Sequence, residues 1–262
     1  MIQPQWSSLY TLFEGGREAL SAAIVSSLTA SGATQYDPFG LMPGISFPRA
    51  AKLFIAPQTG AWLRLVPAPD CILDSVIQSA SANTVLLHVA ISSDLVPEAA
   101  VYRSGETIDP ATALAPYVTD ISTFVEHLNT PKSGATGVGG ISSGALPSNI
   151  RAMSGGLPSR QVERLMNTMT GAIGKNDRAG AQAALQTVEW GSGAGGWMRS
   201  LLAFLGLDSQ AMIDYATLST AYRTAKRLAR NPSATLYPGD ADARDAVANA
   251  LDYEPLFFGW KA

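Results

Sequence analysis

Four cations recur along one stretch at i, i+3, i+4 and i+7: Arg223, Lys226, Arg227 and Arg230. On a helix that spacing gathers them on one face. There they would contact nucleic-acid phosphates, an anionic partner, or an acidic part of the same chain. The plainer reading is a solvated face that complements the C-terminal end of the helix dipole. A second group is aromatic: Phe257, Phe258 and Trp260 stand close together in FFGW. They either dock back onto the protein's own core or form a partner-binding surface.

Residues able to do acid–base or nucleophilic chemistry are few. His88 and His127 are the general bases that titrate near neutral pH, and both read more simply as structural or surface histidines. Cys71 is the single cysteine, placed between Asp70 and Ile72 with no neighbouring base. It reads as an inert thiol. Asp70 with Asp74, and Asp240 with Asp242, have the positions of helix N-terminal charges rather than of an acid/base pair. Gly191, Gly193, Gly195 and Gly196, like GATGVGG further upstream, lack the strand–turn–helix setting of a phosphate loop and read as flexible connections. The chain carries no HExxH or DxDxDG pattern. The expectation is therefore no catalytic residue, no cofactor and no metal, a Cys/His zinc site being out of reach with one cysteine and two histidines.

The elements that must position these residues follow from periodicity. Leu9, Leu12, Phe13, Leu20, Ile24 and Leu28 recur at helical spacing, weakened at Gly15-Gly16. AKLFIA (51–56) and AWLRLV (61–66) flank Pro57-Gln58-Thr59-Gly60 and read as a β-hairpin. A brief helix starts at Asp70. Strands follow at 84–91, with Val85, Leu87, Val89 and Ile91 on one face, and at 98–103. Asp109-Pro110 opens a helix that Pro116 should bend or restart. The order α-β-β-α-β-β-α predicts an α+β domain over residues 1–131, with a four-stranded, mainly antiparallel sheet.

Residues 132–158 are rich in Gly, Ser and Pro and read as a linker, although Ile141, Leu146, Ile150, Met153 and Leu157 are apolar enough to pack against a folded unit. Residues 159–262 present helical stripes around 162–173, 178–190, 197–205, 209–230 and 240–250. This predicts an all-α bundle that closes on the aromatic tail.

The first 131 residues hold eleven Asp/Glu against five Lys/Arg, residues 161–262 hold ten of each, and the chain has a net charge of −3. A general nucleic-acid binder is disfavoured by that balance. The first ten residues lack the pattern of a signal peptide, and no apolar run is long enough to span a membrane. With the lone cysteine, this points to a protein of a reducing cytoplasm that is not inserted in a membrane, and the many Ala, Gly and Pro residues suggest a bacterial source. Three function classes follow in order: a non-enzymatic interaction or scaffold protein, with a protein partner or a homo-oligomer; a nucleic-acid-associated regulator using the basic helix face; and an enzyme of unknown class.

Overall fold

The computed structural model describes residues 5–40, 47–58, 60–130, 188, 190–207 and 212–261. The expected linker, the helix expected around 162–173 and, apart from Val188 and Trp190, the one around 178–190 lie outside the described residues, as does any packing of 141–157.

The strands are β1 (Trp6–Thr11), β2 (Thr34–Gln35), β3 (Arg49–Ile55), β4 (Leu63–Pro67), β5 (Leu86–Ile91), β6 (Pro97–Arg103), β7 (Glu106–Ile108) and β8 (Glu254–Trp260). The described helices are α1 (Gly16–Ala30), α2 (Asp74–Ala80), α3 (Pro110–Leu114), α4 (Ile121–Asn129), α5 (Gly193–Ala203), α6 (Tyr215–Arg230) and α7 (Asp240–Ala246). All eight strands join one antiparallel sheet in the order β2-β8-β3-β4-β1-β5-β6-β7. This corrects the expected fold class: the sheet has eight strands rather than four, and the C-terminal helices pack on it instead of forming an all-α bundle.

Two misread segments account for the difference. Trp6–Thr11 is a strand buried along its whole length, between β4 and β5. Gly15 and Gly16, read as weak points within one helix, are the turn that leads from β1 into α1. Both have positive φ, 85° and 73°, and a Cβ added at Gly15 would stand 2.8 Å from the Ala19 Cβ. Glycine is required there by the backbone. At the other end of the chain, β8 inserts between β2 and β3, with Leu53 opposite Leu256 and Ala50 opposite Gly259.

The sheet is covered on both faces. Leu9, Leu53, Ile55, Leu256 and Phe258 point to one face and bury Leu20, Ile24 and Leu28 of α1 and Val76 of α2. On the other face Tyr10, Leu87, Val89 and Val101 meet Leu114, Phe124, Met198, Leu201 and Leu202 of α3, α4 and α5. Beside them Phe54, Val66 and Phe257 meet Leu218 and Ala221 of α6 and Ala243 of α7. Successive residues of a strand thus enter opposite apolar layers, and each fully buried Leu, Ile or Phe contributes roughly 1.5–3 kcal/mol. Arg64, 2 % exposed, crosses the second face: its Nε donates to Ser8 Oγ over 2.9 Å and its Nη2 to the Ile213 carbonyl, which fixes the approach to α6.

Local chemistry sets the helix ends. Asp109 Oδ2 accepts the Thr112 N–H at 2.8 Å with Pro110 in the first turn, and Pro116 separates α3 from α4 through a 3-10 turn at Ala115–Tyr117. Asp120 and Asp214 cap α4 and α6 in the same way. No helix among the described residues is long and apolar enough to cross a membrane.

Candidate functional site

The four cations lie on α6, whose opposite face is buried through Leu218, Ala221 and Thr224. The helix is fixed to the sheet by an aromatic cluster: Phe39 and Tyr222 rings are 5.1 Å apart, Phe54 and Tyr222 5.4 Å, and Phe54 and Phe257 5.6 Å. Such pairs add directional attraction to the area they bury. The cations stand on the far side of a rigidly held helix.

Two of the four are matched inside the chain. Lys226 Nζ is 2.9 Å from Asp37 Oδ2, and its ammonium lies about 6 Å from the Phe39 and Tyr222 rings. Partial burial alone would raise the Asp37 pKa. The Lys226 ammonium and the Phe39 N–H outweigh it, with a smaller pull from Arg230, and the net shift is downward. Arg227 Nη2 pairs with Asp240 Oδ2, and the guanidinium sits 4.6 Å from the centroid of the Tyr237 ring. Arg223 and Arg230 are exposed and form no ion pair among the described residues.

Asp240 anchors this corner. It is 2 % exposed, and its carboxylate accepts the Tyr237 N–H at 2.7 Å as well as the Arg227 donor; these two bonds, in that order, hold its pKa down to about 2. The Asp240 N–H donates in turn to the Tyr237 carbonyl at 3.0 Å. With Pro238 second and Gly239 third at φ 84°, ψ −12°, Tyr237–Asp240 is a type II turn, and glycine supplies the positive φ that turn needs. Tyr237 is thereby held at both of its backbone groups and over its ring, yet it is 65 % exposed, and the preceding Leu236 is 38 % exposed. The cation spacing is visible in the sequence, whereas Tyr237, Asp240 and Asp37 were missed as members of the site. The Tyr-Pro-Gly-Asp string is the signal that could have located the turn.

The other sequence candidates fall elsewhere. Phe257 and Phe258, 3 % and 1 % exposed, are core residues on opposite faces of β8. Trp260 is half-buried, donates from Nε1 to the Ser31 carbonyl at 3.1 Å and lies under the Arg49 guanidinium. His88 Nε2 and Ser7 Oγ form a 3.0 Å hydrogen bond across β5 and β1, and burial pushes the imidazole down to about 4. Register places Ala100 of β6 and Leu9 of β1 opposite His88, so its polar partner Ser7 is a diagonal neighbour. His127 stacks on Trp197 at 4.9 Å and bonds its carbonyl, tying α4 to α5. Gly193, Gly195 and Gly196 lie within the first turn of α5, where a Cβ at Gly196 would come 3.3 Å from the Gly191 backbone. Close packing thus calls for glycine at Gly196, and a positive φ of 56° calls for it at Gly193.

Cys71 Sγ accepts the Lys52 N–H at 3.3 Å, and burial pushes its thiol up to about 12. A thiol reagent is expected to label the native protein on the order of a hundredfold more slowly than the urea-unfolded chain, followed by absorbance at neutral pH. Equal rates would place the thiol in solvent.

A groove of about 660 Å³ opens at the start of α1 between Arg17, Glu18, Gln58, Leu251 and Asp252. Its donors are engaged locally: Arg17 Nη1 bonds the Asp252 carbonyl at 2.7 Å and Gln58 Nε2 the Gly60 carbonyl. No cluster of three or more metal-ligating side chains occurs among the described residues. No protein-family model, curated protein or solved structure matches the chain.

Proposed function

We propose that the protein is a non-enzymatic interaction protein whose binding surface is the α6–α7 corner. The observation that carries the reading is Tyr237, exposed to 65 % and yet fixed by the type II turn, by Asp240 and by the Arg227 guanidinium. Binding energy concentrates in a few Tyr, Trp and Arg side chains, and a side chain already held in place loses little entropy on association. Leu236 adds apolar area next to it, and Arg223 and Arg230 stand about one helical turn on either side of Arg227. A cytoplasmic setting belongs to the same proposal and agrees with the single cysteine.

The second reading, a nucleic-acid-associated regulator, uses the same helix. It has less support, because Lys226 and Arg227 already face Asp37 and Asp240, and phosphate binding needs clustered, available cations.

Affinity capture tests the proposal with the full chain and its Leu236→Ala/Tyr237→Ala variant, compared at matched thermal stability. A partner retained by the parent chain and depleted about tenfold or more on the variant is the expected outcome. An identical retained set on both would remove the corner as the binding surface. Retention of nucleic acid alone, lost in moderate salt, would favour the regulator.

A further inference from the structure

The same sheet face carries a second exposed apolar pair. Tyr117, 40 % exposed, and Ile121, 47 % exposed, lie where α3 passes into α4. Along this stretch of the chain the charge is of one sign. Between Ser104 and Thr130 the chain has four carboxylates, Glu106, Asp109, Asp120 and Glu126, and no Lys or Arg, and all four are exposed. Asp109 and Asp120 are held ionised by the hydroxyl and N–H donors of Thr112 and Thr123 that they accept as helix caps.

The α6–α7 corner is the counterpart. It offers an apolar pair, Leu236 and Tyr237, and a helix whose residues 215–230 hold four cations and no acid. Arg223 and Arg230 stand about one turn on either side of Arg227, which lies over the Tyr237 ring, and about 10 Å apart along the helix axis. Each patch thus presents what the other lacks: two exposed apolar side chains on a stretch whose only charges are carboxylates, and two beside a helix whose only charges are cations.

We propose that a second copy of this chain occupies the α6–α7 corner, presenting its own α3–α4 patch. The inference rests on the corner being a binding surface and names its occupant. Opposite charges at the rim set the orientation and hasten encounter, and the apolar pairs supply the area removed from water. If each copy offers both patches to the other, the assembly closes as a two-fold dimer, and if not, it grows head to tail.

Sedimentation of the full chain over a range of concentrations and salt tests the inference, with the variants checked for native circular dichroism. The expected result is a mass that rises above 27.5 kDa with concentration and falls back towards the monomer in roughly 0.5 M NaCl. Arg223→Glu/Arg230→Glu and Asp109→Asn/Asp120→Asn should each weaken association about tenfold or more on their own, asparagine keeping the helix caps. Mixing the two variants leaves one corner and one α3–α4 patch intact between them, so the mixture should regain a complex that neither variant forms alone. A parent chain that remains a monomer at its highest soluble concentration overturns the inference, as does association that neither variant weakens or a mixture that stays monomeric. A monomer that still loses a captured partner on Leu236→Ala/Tyr237→Ala would leave the interaction reading standing and remove only the second copy as its occupant. A duplex oligonucleotide bound through the same arginines, with no self-association, would assign the corner to nucleic acid.

Discussion

Removing residues 254–262 is expected to abolish the cooperative unfolding transition of the protein. Their strand, β8, is internal to the sheet, seven residues long in its pairing with β3 and flanked on its other side by β2. Leu256, Phe257 and Phe258 are at most 3 % exposed and feed both apolar layers. At roughly 1.5–3 kcal/mol each, these three side chains alone approach the 5–15 kcal/mol that separates a typical native domain from its unfolded state. The truncation would also leave the β3 backbone as a long unpaired edge, a template for aggregation. Circular dichroism melting and dye binding read the outcome: no sharp transition and an exposed apolar surface. A truncated chain that melts within a few degrees of the parent would mean that β8 does not belong to the sheet. Phe258→Ala gives the graded version, an expected loss of about 3–5 kcal/mol in denaturant unfolding.

That strand is also where sequence reasoning failed most instructively. A strand with one solvated face alternates apolar and polar residues; Leu86–Ile91, covered on both faces, does not, and could be read only as a short apolar run of strand length. A strand covered on both faces needs no polar member, so Leu256-Phe257-Phe258 lost its period and read as a tail. The first strand failed differently. Leu9, Leu12 and Phe13 are spaced as a helix would space them, and they continue in register into Leu20 and Ile24. Only the paired glycines, each of positive φ, mark the reversal between strand and helix. Where local chemistry decides, the elements could be read: the hairpin around Pro57 and Gly60, the Asp109-Pro110 helix start, the break at Pro116. The assembly of helices could not. An amphipathic stripe states that a face is buried but not against what, and the stripes of α5 and α6 read as a bundle when they cover a sheet. The candidate site divides along the same line. The cation face of α6 is a matter of spacing, but Asp37, which matches Lys226, is 189 residues away in the chain, and only the folded sheet brings it there.

Stability should fall as the pH drops from about 6.5 to about 4, and His88 should be the cause. In the native protein its imidazole lies between β1 and β5, bonded to Ser7 Oγ, and burial holds its pKa near 4. In the unfolded chain the ordinary value of about 6.5 returns. Between those limits the unfolded chain binds a proton that the native protein rejects, so protons favour unfolding throughout that window. The gap of about two and a half pH units, at 1.36 kcal/mol per unit, amounts to ~3 kcal/mol lost by pH 4, with a flat profile above pH 7. Asp240 acts later and for the opposite reason. Its pKa is depressed to about 2, so its contribution is intact above the usual carboxylate range and disappears only as the pH falls from about 4 towards 2. The two windows are therefore separable. Urea unfolding at pH 7.5, 5.5 and 4.5 should give a declining free energy for the parent chain and a nearly level one for His88→Gln. Ser7→Ala should lower stability by about 1 kcal/mol at every pH while keeping the slope, since burial rather than the hydroxyl sets the titration. A parent profile that is level over this range, or a His88→Gln profile as steep as the parent's, would place the proton uptake on another group and leave His88 as a solvated histidine.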